Sequence, residues 1–367
     1  MKSQKMSREL PLQSLWEKIG CEWAAEKNWR LPKDFQGPKI EYAAVEKSAG
    51  IVDYSFRGKL RVTGSERTLF LNNILTNDIA SLAPGQGCYA CLLTATGKIL
   101  GDMAVYIFED SILLETEMSY EKILLERLTK HLIAEDVVFE DVTDQSMLLA
   151  FQGPKADAAL GQLGISGPLP EEAFAHRQFE AGGISGHLVR QSWLGKDGWH
   201  LWIPVRHAAS IAPLLGTCIR DGKVTPVGFQ TKETLRIEAG ILRYGTDTSE
   251  ETLLPETGLE SFAASETKGC YPGQEVVAKI KTYGGLKRKF VKILLKENVV
   301  PMASASIHSQ NTPGTPIGRV TSCCHSPKWG NILCLASVSK TAVENETEVK
   351  IEAPGRNITG ELLPLKD

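Results

Sequence analysis

No stretch of this 367-residue sequence is apolar for long enough to span a bilayer, and its first ten residues lack the apolar segment of a secretion signal. Those absences predict a protein with no membrane contact, working in the cytoplasm. Neither sign of charge dominates: 41 lysines and arginines stand against 44 aspartates and glutamates, a net charge of −3. Such a balance supplies no field to draw the chain to nucleic acid or anionic lipid. Cysteine is sparse, eight residues scattered without regular spacing. That argues against a disulfide framework and fits free thiols in a reducing compartment. What is present is ordinary globular material, 42% hydrophobic and 23% charged, in a length that suggests two or three domains.

The stretch that stands out is Lys268-Gly269-Cys270-Tyr271-Pro272-Gly273-Gln274-Glu275. It gathers a thiol, an ammonium, a phenol, an amide and a carboxylate around two glycines and a proline. The glycines allow close backbone approach or positive φ, and the proline fixes one dihedral. The residues that follow read best as a short helix. Gln274 and Glu275 fall in its first turn, Lys279 and Lys281 near its last, and Gly284 just past its end. A helix there sets Cys270 just before its positive end and beside Lys268, so the thiol is expected to ionise more readily than a free cysteine. The plainer alternative is a Gly-Pro loop around a buried cysteine. The half-alternating run over 276–280 is also compatible with a strand.

Around this octet the order of elements is mixed. Leu15, Trp16, Ile19, Trp23 and Ala24 recur at helical spacing and predict an amphipathic helix over 14–27, with a connecting loop over 31–40. Strands are expected over 58–64, 88–94, 99–108, 111–117, 137–142 and 147–151, with helices over 65–75 and 118–132. Gly153-Pro154 opens a second unit with strands over 186–190 and 199–203 and helices over 156–163 and 207–215. A helix over 228–239 leads into a polar loop over 242–255. After Gly284-Gly285 five short strands, over 289–295, 303–307, 315–322, 331–338 and 348–351, predict a small barrel or sandwich. The class is α+β, antiparallel strands with helices on one face.

Other constellations carry less chemistry. Cys88 and Cys91 have the gap of a metal or redox pair, but in a strand two side chains three apart face opposite ways, so they are assigned to the core. Cys323-Cys324-His325 is likewise read as structural, and no metal is assigned. Asp102 sits inside the apolar strand over 99–108. A buried carboxylate needs a partner. It is either tied to nearby backbone N–H groups or turned toward a cleft.

Across nearly its whole length the chain resembles the aminomethyltransferase (glycine-cleavage T-protein) superfamily. Within it, the octet resembles the Lys-Gly-Cys-Tyr-x-Gly-Gln-Glu signature of the YgfZ-type folate-binding proteins, a group that includes iron–sulfur assembly factors. Ala49-Gly50-Ile51-Val52-Asp53, Phe70-Leu71-Asn72, Leu75-Thr76-Asn77-Asp78-Ile79, Phe151-Gln152-Gly153-Pro154 and Leu235-Arg236-Ile237-Glu238-Ala239-Gly240 fall in the family's order. The resemblance implies three domains in a ring around a central folate. These are a discontinuous α+β domain of 1–150 with 228–284, a second α+β domain of 151–227, and a C-terminal β-barrel of 285–367.

The same resemblance implies site residues. Asp102 matches the acidic residue at the folate's reactive nitrogens, Arg236 an arginine near the ligand, and Tyr244 a tyrosine just beyond it. Trp193 falls where the transferases have an aromatic, and Tyr271 and Gln274 join the cofactor contacts from the octet. His200 stands where the transferases carry a glutamate for the pterin, and histidine cannot mimic a bidentate carboxylate. Gly101 replaces an acidic residue often found before Asp102, and Glu115-Thr116-Glu117 stands where the transferases run apolar into an asparagine. The expectation is a tetrahydrofolate-binding accessory protein for assembly or repair of iron–sulfur enzymes, meeting its iron–sulfur clients transiently. Cys270 would be its reactive thiol, tuned by Lys268. A tetrahydrofolate-dependent aminomethyl or methyl transferase is one alternative, so enzymatic turnover stays open. A ring-fold scaffold without folate is another.

Overall fold

The computed structural model describes residues 7–311 and 314–366; the polar start of the chain through Met6 lies outside them. The described residues form two compact units. Among them, unit 1 comprises residues 7–72, 79–90 and 103–232, and unit 2 comprises 73–78, 91–102 and the described residues from 233 onward.

Unit 1 is organised on sheets. One has six strands in the order His176–Ala181, Ile184–Arg190, Gly198–Pro204, Ser146–Gln152, Gly50–Asp53 and Thr225–Pro226. Its central partners, Gly198–Pro204 and Ser146–Gln152, run antiparallel in unbroken register from Gly198 opposite Gln152 to Pro204 opposite Ser146. Both are nearly continuous runs of buried residues, as strands covered on both faces must be. A second sheet has five strands in the order Gly87–Leu93, Ile99–Ile107, Ile112–Thr116, Gly58–Thr63 and Val138–Asp141. The tip of its first hairpin, residues 91–102, belongs to unit 2.

The expected helix over 14–27 is half right. A helix runs over Gln13–Ile19, and Gly20 then takes φ +86° and ends it. Glu22–Glu26 is instead a strand, paired antiparallel with Trp29–Asp34, where a loop was expected. The tryptophan spacing fits a helix, but Trp23 lies under the guanidinium of Arg30 across the hairpin, 4.3 Å from ring centroid to Cζ.

Unit 2 carries a closed six-stranded barrel in the order Arg288–Leu295, Asn331–Ser339, Gly318–Ser326, Ser306–Ser309, Glu348–Ala353 and Arg356–Leu363. Its interior is filled by Ile293, Ile307, Val320, Cys334, Ala336, Val338, Val349, Ile351 and Ile358. Each large aliphatic side chain buried there contributes about 1.5–3 kcal/mol. Closure leaves no unpaired sheet edge. The sixth strand, Arg356–Leu363, was not expected, because Gly360 takes one of its inward positions and leaves Ile358 and Leu362 as a sparse apolar signal. Among the described residues no helix is long and apolar enough to cross a membrane.

Candidate functional site

In unit 2 the octet leads into the helix Gln274–Tyr283, capped at its start by Gly273 and at its end by Gly284. Gly273 has φ +82°, and a Cβ there would stand 2.5 Å from the carbonyl oxygen of Thr94 and 3.0 Å from Gly97. Only glycine meets both conditions. The turn at 94–97 therefore backs directly onto the start of this helix, and Gly97 would itself press a Cβ to 3.1 Å from Val276. Further bonds hold that turn: the Leu254 N–H donates to Gly97 O (3.2 Å) and the Ile99 N–H to Thr252 O (2.9 Å).

The octet is pinned on its other side by residues 75–77. Lys268 Nζ donates to the carbonyl oxygens of Leu75 (2.6 Å) and Asn77 (3.0 Å) and lies 5.3 Å from the centroid of the Tyr271 ring. The Ser265 N–H donates to Thr76 O (3.0 Å). Thr76 Oγ1 donates to Ala263 O and accepts from the Cys91 N–H (2.8 Å). Lys268 and Tyr271 are buried by these contacts, whereas Cys270 between them is exposed, alone among the eight cysteines. Cys91 is buried beneath, and burial first, then the Asp102 carboxylate, push its thiol well above the usual range. Asp102 is half-buried on the strand Ile99–Ile107.

Arg236 lies elsewhere in unit 2 and is fully engaged. Its Nε donates to Glu233 (3.2 Å), Nη1 to Ile241 O (2.6 Å) and Asp247 Oδ2 (2.7 Å), and Nη2 to Glu233 Oε2 (3.0 Å) and Ser322 Oγ (3.0 Å). A guanidinium has five N–H donors, and these five bonds use them all. Thr321 and Ser322 from the barrel also donate to Asp247 Oδ1, each at 2.6 Å.

Unit 1 holds a buried polar cluster of its own. Arg57 pairs with Glu115 through Nε and with Glu117 through Nη1 at 3.0 Å, and its guanidinium stands 4.5 Å over the Trp193 ring. Trp193 Nε1 donates to Glu115 Oε1 (2.9 Å), and the Tyr106 hydroxyl to Glu115 Oε2 (3.0 Å). Burial pushes the Glu115 carboxyl upward, but Arg57 above all outweighs it and holds the group below its ordinary range. His200 is wholly buried and stacks on Tyr54 with centroids 5.6 Å apart. Neither of its ring nitrogens has a hydrogen-bond partner among the described residues. Burial pushes its pKa down to about 4, with Glu115 opposing that shift and Arg57 adding to it.

Two domain families match this chain. The GCVT N-terminal domain covers residues 12–267, and the glycine cleavage T-protein C-terminal barrel domain covers 288–365. The chain belongs to the glycine cleavage T-protein family. Its relatives include the aminomethyltransferase of Bacillus licheniformis, 29% identical over 98% of both chains. That of Thermoanaerobacter sp. is 28% identical over 94% of this chain and 93% of the relative. The crystal structure of the glycine cleavage system aminomethyltransferase T from Bartonella henselae superposes with a TM-score of 0.85 at 26% identity, covering 98% of this chain and 97% of that one. The α+β class with a C-terminal barrel is therefore the T-protein fold.

Set against that family, the sequence-predicted residues divide between the units. Asp102, Arg236, Tyr244, Lys268, Cys270, Tyr271 and Gln274 lie in unit 2, and Trp193 and His200 in unit 1. Two of the expected folate residues are engaged with protein groups. Arg236, expected at the folate, has no donor left for a ligand and instead clips the helix Phe229–Glu238 to the 241–247 loop and the barrel. Tyr244, expected beside it, is buried with its hydroxyl on Ile99 O at 3.2 Å. Lys268 places two of its three donors on backbone carbonyls, which makes it first a tie for the octet. Gln274 is the half-buried first residue of its helix. Sequence reasoning missed Arg57 and Thr76. The two glutamates of Glu115-Thr116-Glu117, in and beside an otherwise apolar strand, were the available signal for a buried counter-charge.

Proposed function

We propose that this T-protein-family chain is a tetrahydrofolate-binding accessory protein of YgfZ type, supporting iron–sulfur enzymes through Cys270. The observation that carries this reading is the way the octet is built. Its flanking Lys268 and Tyr271 are buried and bonded while the thiol between them is left in solvent. An exposed thiol is open to reagents and partners that a buried one is not, and here the bonds of Lys268 hold the segment that presents it. A reduced folate carries one-carbon groups when bound. Its pterin needs a flat wall and acceptors for its N–H groups. In unit 2 the half-buried Asp102 is an acceptor of the kind it needs; Arg236 and, in unit 1, the enclosed His200 fit it less well.

A second reading is tetrahydrofolate-dependent aminomethyl transfer. Relatives named aminomethyltransferase match end to end, and by those names alone this reading is the stronger one. The buried His200, where the resemblance implies a carboxylate for the pterin, weakens the hold on the pterin in both readings and does not separate them.

Calorimetric titration with tetrahydrofolate tests the part both readings share. Absence of binding would leave only a ring-fold scaffold. The two are then separated by a Cys270→Ala strain and an aminomethyl-donor assay. The accessory reading expects loss of iron–sulfur enzyme activity in that strain and no methylene-tetrahydrofolate from the purified protein. Full iron–sulfur activity in the strain, with methylene-tetrahydrofolate formed in the assay, would establish transfer instead.

A further inference from the structure

The barrel holds a pair of cysteines that the octet does not involve. Cys323 on Gly318–Ser326 and Cys334 on Asn331–Ser339 are direct partners in the antiparallel register. Both face the barrel interior: Cys334 is part of the core and Cys323 packs against it. Residues directly opposite on antiparallel strands stand about 4.5–5.5 Å apart at Cα, inside the roughly 4.4–6.8 Å that a disulfide bridges. Their neighbour Cys324 projects from the other face of the strand, its Sγ 4.0 Å from Thr234 O.

We propose that Cys323 and Cys334 form a reversible dithiol–disulfide couple, a redox site in the barrel separate from Cys270. The two differ in access. Cys323 is half-buried and Cys334 wholly buried, so an oxidant meets Cys323 first and Cys334 resolves the product. The thiols also interact directly: Cys334 holds the Cys323 thiol below its ordinary range, while Cys334 itself is raised, first by that interaction and then by burial. Burial pushes Cys324 upward instead. The oxidant class is a small-molecule disulfide. The Cys323 thiolate attacks one of its sulfurs, forming a mixed disulfide and expelling one thiolate. The Cys334 thiolate then attacks the Cys323 sulfur and expels the second. The two protons given up by the cysteines end on the two released thiols, so one disulfide is reduced for each one formed.

The test is oxidised glutathione added to the native protein, followed by an acid quench, alkylation, tryptic digestion and mass spectrometry. The full-length Cys270→Ala chain is used, to remove the competing surface thiol. The expected product is peptide 320–328, alkylated once at Cys324, joined to peptide 329–340, two hydrogens lighter than the sum of those two peptides and released by dithiothreitol. The link should vanish in Cys323→Ser and persist in Cys324→Ala. Circular dichroism of each variant checks that the fold is kept, and Cys334→Ala supplies a second variant that should instead trap glutathione on Cys323. Peptide 329–340 recovered fully alkylated from the Cys270→Ala chain would overturn the proposal. So would a link that survives in Cys323→Ser.

Discussion

Around Arg57, a guanidinium, two glutamates, an indole and a phenol bond one another in the interior. In the octet, Lys268 and Tyr271 are buried while the thiol between them faces solvent. In the first region the charged groups support one another, so removing one exposes the rest to an apolar interior. In the second, support and chemistry fall on different residues. The platform can be weakened without touching the sulfur, and the sulfur can be removed without touching the platform.

The largest effect is expected from Arg57→Ala. It leaves Glu115 and Glu117 buried without their cation and should cost about 3–5 kcal/mol in urea unfolding. A cost under about 1 kcal/mol would mean the cluster is not the closed network described. Next comes pH. Unfolded, His200 accepts a proton near pH 6.5; folded, it does so only near 4. Its contribution is therefore complete above 6.5 and is lost as pH falls toward 4, a change of about 3 kcal/mol. His200→Phe should remove that share of the slope in stability measured across the window, and an unchanged slope would contradict it.

Lys268→Met tests the platform. The carbonyls of Leu75 and Asn77 lose a donor, at a cost of about 1–3 kcal/mol, and alkylation of Cys270 should become less uniform as the segment loosens. Smallest is Cys270→Ala, expected within about 0.5 kcal/mol of the parent in the same unfolding assay. A larger loss would show the thiol to be packed and would dissolve the contrast between the regions.

How much of this the sequence disclosed follows from the range of each interaction. The helix Gln274–Tyr283 was legible because its start and stop signals, Gly273 and Gly284, are local. Five of the barrel strands were legible from alternation. The hairpin of Glu22–Glu26 was not, since tryptophans at helical spacing masked a glycine that breaks the helix. The octet's importance could be read directly, but the bonds of Lys268 to residues 75–77 could not. Nor could the destination of Arg236, whose partner Ser322 is set by barrel closure. The family resemblance implied a ligand near that arginine; distance along the chain hid the protein groups that it also bonds.

The contact between Gly273 and Gly97 has one more consequence. A methyl group at Gly97 would ask the Val276 side chain, 3.1 Å away, to shift slightly, whereas one at Gly273 would stand 2.5 Å from the Thr94 carbonyl oxygen and act as a wedge. It would drive apart the hairpin carrying Asp102 and the segment carrying Cys270. The hairpin and the start of the helix thus meet at backbone distance, a fit that any side chain at residue 273 would open.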